Sequence, residues 1–89
     1  MQKRVYLLIK GSVQGVGYRY FCGRKAAEYG VKGFARNLPD GNVEVEAEGD
    51  SGMLTEFIKD LRVGPFNASV RSVSVEELPL QNYSEFKLY

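Results

Sequence analysis

Two hydrophobic periods alternate along this chain, and their order admits few folds. Val5, Leu7 and Ile9 alternate with Arg4, Tyr6, Leu8 and Lys10, the period of two expected of a strand with one fully apolar face. Gly11, Gly15 and Gly17 punctuate a short loop, after which Tyr18, Cys22, Ala26 and Tyr29 recur at helical spacing until Gly30 supplies a stop. Val31 to Asn37 and Val43 to Glu48 read as strands joined by Leu38-Pro39-Asp40-Gly41-Asn42, whose Pro-Asp-Gly centre is a turn signal. Asp50 or Ser51 caps a second expected helix, on which Leu54, Phe57, Ile58 and Leu61 form a stripe ending before Gly64-Pro65. Val70 to Glu77 supplies a further strand, and Phe86 to Tyr89 a short edge piece. Strand, helix, strand, strand, helix, strand interlocks two split β-α-β units. The expected fold is α+β and ferredoxin-like: an antiparallel sheet with two helices on one face. That architecture hosts enzymes, RNA readers and regulatory modules, so function has to come from a site.

Length and composition narrow the chemistry. With 89 residues the chain is expected to form one domain, 1–89, and a domain of that size has little room for a deep cofactor cavity. Cys22 is the only cysteine and there is no histidine, which removes disulfide frameworks, imidazole metal sites and histidine general bases together. The apolar run Val5 to Ile9 is too short for a signal-peptide core or a membrane span, so a cytoplasmic protein without membrane contact is expected, and nothing demands more than a monomer. Charge is uneven. Residues 1 to 36 hold eight Lys/Arg against Glu28 alone, whereas residues 37 to 89 hold four against ten acids, which suggests an anion met by the first half.

The glycine loop is the natural place for that anion. Gly15 and Gly17 lie between a strand and a helix start, where unpaired main-chain N–H groups and the positive end of the helix dipole favour negative charge. Consecutive N–H groups can form a nest there, and Arg19 is placed to add a forked contact to a phosphate-like ligand. The third glycine of a dinucleotide fingerprint is missing, and no Gly-Lys-Ser/Thr follows, so nucleotide binding is unsupported. Taken alone, the glycines also read as a tight connection and Arg19 as a solvated helix residue.

A second motif changes the balance. Gly11-Ser12-Val13-Gln14-Gly15-Val16-Gly17-Tyr18-Arg19 resembles the first acylphosphatase signature, and Gly33-Phe34-Ala35-Arg36-Asn37 with Gly41, Val43 and Gly49 resembles the second. The resemblance covers essentially the whole chain, with Tyr18 standing where the family usually has phenylalanine. It implies hydrolysis of the carboxyl–phosphate bond of a small-molecule acyl phosphate, with no cofactor, no metal and no covalent phosphoenzyme. It also implies catalytic roles for Arg19 and Asn37, and a phosphate cradle formed by Gln14, Gly15, Val16, Gly17 and Tyr18 with Arg19. In that picture Arg19 clamps the phosphoryl oxygens and Asn37 orients the attacking water.

Other residues are assigned to structure. Asn37 has a competing role as a strand-end residue that bonds its own backbone. Glu44, Glu46 and Glu48 share one strand face, but residues two apart along a strand are about 6.5 to 7 Å apart, so three in a row cannot converge on one ion; a solvated sheet face is expected. Cys22 is expected in the core. The rival function is a non-catalytic RNA- or anion-binding ferredoxin-like module, because Lys32-Gly33-Phe34-Ala35 matches the opening of an RNA-recognition consensus. That match breaks at Arg36, Asn37 and Pro39 and lies on the second strand instead of the third, so no nucleic-acid partner is expected.

Overall fold

The first strand pairs on both of its edges. A computed structural model describes residues 1–89. The elements are β1 (Gln2–Ser12), α1 (Tyr18–Tyr29), β2 (Lys32–Asn37), β3 (Val43–Asp50), α2 (Ser51–Val63), β4 (Ser69–Leu78) and β5 (Phe86–Leu88). The sheet order is β4-β1-β3-β2-β5. Its first four strands form the ferredoxin-like antiparallel core, with β1 between β3 and β4. The expected edge piece is present, but β5 runs parallel to β2, so the five-stranded sheet is mixed and not wholly antiparallel. A loop-connected segment that returns to the free edge of β2 can adopt either direction, and strand periodicity does not encode which.

Register aligns the inward sides. Val5, Leu7 and Ile9 face Ala47, Val45 and Val43 across the β1/β3 pair, and Ala35 and Val73 continue the same layer on β2 and β4. These residues join Tyr18, Phe21, Cys22 and Ala26 of α1 and Leu54, Phe57 and Leu61 of α2 in one buried cluster, so both helices cover one side of the sheet. Fully burying a side chain such as Leu7, Ile9 or Phe57 contributes about 1.5–3 kcal/mol each. Helix α2 starts as expected: the Asp50 carboxylate accepts from the Gly52 N–H at 3.1 Å.

The opposite side of the sheet departs from the expectation of solvated glutamates. Glu44 accepts from the Tyr6 hydroxyl at 2.8 Å and pairs with Arg36. Glu46 pairs with Arg4 and accepts from the Tyr83 hydroxyl at 2.6 Å. Glu48 is only 6% exposed and accepts three main-chain N–H bonds, from Gln81, Asn82 and Tyr83 at 2.6, 3.1 and 2.7 Å. The segment between β4 and β5 lies against this face and converts it from a wetted surface into a half-covered polar layer. No helix is long and apolar enough to cross a membrane.

Candidate active site

Strand parity decides which end of β2 points where. Gly33, Ala35 and Asn37 alternate with Phe34 and Arg36, so Asn37 shares the helix-facing side and stands at the strand end opposite Val43. The same end of the sheet carries the exit of β1 and the start of α1. Gly15, Gly17, Tyr18, Arg19 and Asn37 therefore meet in one cleft of about 220 Å3, completed by Val13 and Tyr20. Gln14 and Val16 do not line it.

The loop backbone is shaped by its glycines. Gly15 and Gly17 sit at φ 74° and 76°, the left-handed region that side chains disfavour, and Gly17 is the N-cap of α1. No side chain caps the helix and its first turn holds no acid. Phe21 donates its N–H to the Gly17 carbonyl at 3.0 Å, whereas the main-chain N–H groups from Gln14 through Arg19 donate to no protein acceptor. A helix start normally recruits a side-chain oxygen for these donors. Here no such oxygen is present.

Each side chain around the loop has a definite position. Gln14 turns away from the cleft, and its amide donates to the carbonyls of Leu38 and Asn42 at 2.7 and 2.8 Å, tying the loop to the β2–β3 turn. Val16 packs against the core. The additional hydroxyl of Tyr18 is buried and donates to the Leu61 carbonyl at 2.8 Å, and burial pushes its ionisation well above the usual tyrosine range. Arg19 lines the cleft while its Nη1 donates to the main-chain oxygen of Tyr89, the last residue of the sequence, which leaves the rest of the guanidinium fork open. The Asn37 amide has no partner in the protein; the turn bond that would compete for it is supplied by Asp40, which accepts from the Asn42 N–H at 3.1 Å. Two contributors escaped sequence reasoning, Gln14 as a side-chain brace and the Tyr89 main-chain oxygen. The second has no signal in the side-chain pattern, since the acceptor is a main-chain oxygen.

Charge and reactivity follow from this arrangement. The residues lining the cleft include one cation and no acidic side chain, a balance that favours an anion. Cys22 is fully buried and desolvation pushes its thiol up to about 12, which leaves it protonated and inert. Larger depressions exist elsewhere. The one at the far end of the sheet, about 360 Å3, is lined by Glu48, whose carboxylate is already saturated by main-chain donors, and by Lys32 and Asp50 of opposite sign. It offers no comparable run of open donors.

The whole chain has counterparts of known kind. A family model described as acylphosphatase matches residues 5–88. An acylphosphatase of Chlorobaculum tepidum is 47% identical over 88 residues, which span 98% of this chain and 96% of that one. The acylphosphatase of Archaeoglobus fulgidus is 43% identical over 82 residues, 92% of each chain. The crystal structure of acylphosphatase from Bacillus subtilis matches with a TM-score of 0.95 at 32% identity, over 100% of this chain and 99% of that one. Because these matches run from β1 through β5 and include both the glycine loop and the end of β2, the chain belongs to the acylphosphatase family.

Proposed function

We propose that this acylphosphatase cleaves the carboxyl–phosphate bond of acyl phosphates with Arg19 and Asn37 as its catalytic residues and the main chain from Gln14 to Arg19 as the phosphoryl cradle. The observation that carries the reading is the run of unpartnered main-chain donors beside a half-engaged guanidinium. Phosphoryl transfer passes through a loose transition state with charge on the equatorial oxygens, so fixed donors in a cleft without acidic side chains can supply most of the stabilisation. Asn37, with its amide free, holds the attacking water. The water oxygen bonds to phosphorus, the P–O bond to the acyl group breaks with its electron pair, and the carboxylate leaves. The water's proton passes to a phosphoryl oxygen. A carboxylate is a stable leaving group, so this route needs neither a metal nor a protein general acid, and no phosphoenzyme forms. The same reading makes the protein a cytoplasmic monomer, testable by fractionation and sedimentation.

The test is phosphate release from benzoyl and acetyl phosphate in the presence of chelator. Arg19→Lys replaces a planar fork with a point charge and is expected to lose about a thousandfold or more in turnover. Asn37→Ala is expected to lose about a hundredfold while inorganic phosphate still binds nearly as well. Near-normal turnover in either variant removes that residue from the mechanism, and a phosphoenzyme trapped during turnover overturns the direct-attack route.

A further inference from the structure

Tyr20 is a tyrosine for which the fold has no use. The hydroxyls of Tyr6, Tyr18, Tyr29 and Tyr83 donate to Glu44, the Leu61 carbonyl, Asp60 and Glu46. The Tyr89 ring packs edge-on against Phe34 at 5.8 Å and lies under the Arg36 guanidinium. Tyr20 is 70% exposed, its hydroxyl meets no protein group, and its ring meets no aromatic or cationic partner. It nevertheless lines the cleft next to Arg19 and Asn37. Of the other apolar residues there, Val13 and Tyr18 are 2% and 1% exposed and have no surface to offer a ligand.

The acyl phosphate reading assigns the amides, Arg19 and Asn37 to the phosphoryl end. The acyl group then has to extend along the remaining wall of the cleft, and the surface available there is an aromatic face. We propose that Tyr20 is a specificity-determining residue whose ring forms a platform for flat, apolar acyl groups, favouring aryl over short alkyl acyl phosphates. The proposal rests on the acyl phosphate reading. A platform that touches a non-reacting part of the substrate binds ground and transition states alike, so its effect belongs in KM and not in kcat.

KM and kcat for benzoyl and acetyl phosphate, measured on the parent, Tyr20→Ala and Tyr20→Phe, test this. Tyr20→Ala is expected to raise the benzoyl phosphate KM about tenfold, the scale of one lost ring-on-ring contact, and to leave the acetyl phosphate KM within about twofold. Tyr20→Phe keeps the parent's benzoyl phosphate KM, because the face and not the hydroxyl is used. Inhibition by inorganic phosphate stays the same in all three proteins. Equal changes for both substrates, no change for either, or a Tyr20→Phe variant as impaired as Tyr20→Ala would overturn the platform while leaving the hydrolytic reading intact. A parent that hydrolyses neither substrate overturns both.

Discussion

At the scale of single residues, the polar groups placed inside this domain are those with main-chain partners. Tyr18 illustrates the point: its hydroxyl answers a carbonyl in the last turn of α2, one of the four that a helix end leaves without an internal partner. Tyr18→Phe is therefore expected to lower stability by about 1 kcal/mol with turnover retained, read from urea midpoints beside an activity assay. Glu48 is the stronger case. Burial acts to raise its pKa, but the three N–H donors from Asn82, Gln81 and Tyr83, with the nearby Arg4 charge, outweigh it and hold the carboxyl below the ordinary glutamate range. The unfolded chain thus takes up this proton at a higher pH than the native one. The stabilisation is complete above about pH 4.3 and is lost as pH falls through the lower native value. Glu48→Gln is expected to cost about 2 kcal/mol at pH 7, and its deficit against the parent should shrink toward pH 3. A deficit that is the same at both pH values would contradict the assignment.

Between elements, the cleft depends on how the β1–α1 loop is held against the β2–β3 turn. Gln14 bridges them through two carbonyls of a turn that is itself closed by the Leu38 N–H on the Asn42 carbonyl at 2.8 Å. That brace sets the spacing between the open amides and Asn37, which stands one residue before Leu38. Displacing a positioned group by an ångström can cost about a hundredfold in rate. Gln14→Ala is accordingly expected to lower kcat/KM by about tenfold or more, with about 1–2 kcal/mol of stability lost with the two bonds. Steady-state kinetics beside a denaturant titration check this, and unchanged kinetics in a destabilised variant would reduce Gln14 to a structural brace. At the other edge of β2, the Tyr89 N–H donates to the Ala35 carbonyl at 3.0 Å, so pairing along β2 also delivers the Tyr89 main-chain oxygen that holds Arg19.

Over the whole molecule, the topology redistributes charge that looks segregated along the chain. Because β1 lies between β3 and β4, β2 beside β3 and α1 against α2, cations of the first half meet acids of the second: Lys3 with Glu77, Arg4 with Glu46, Lys25 with Asp60 and Arg36 with Glu44. The positive excess that suggested an anionic partner is partly neutralised internally, while Arg19 keeps an open fork in the cleft. Phe34, the aromatic of the RNA-like motif, is already enclosed by Tyr83 and Tyr89 rings at 6.4 and 5.8 Å and by Arg36. Single-stranded RNA is thus expected to show no saturable binding at low salt by fluorescence anisotropy, and a salt-dependent isotherm would speak for the rival function. The sequence by itself determined the strand and helix order, the apolar layer from Val5 to Leu61, the turn at Pro39-Asp40-Gly41 and the pairing of the glycine loop with Asn37. The first three rest on local periodicity and turn chemistry, and the last on the family resemblance that two short motifs carry. Only the tertiary structure decided the parallel direction of β5, the burial of Glu48, the Gln14 brace and the hold of Tyr89 on Arg19. Each of these depends on main-chain N–H or C=O groups far away in sequence, and every residue but proline carries the same pair, so no side-chain pattern could announce them.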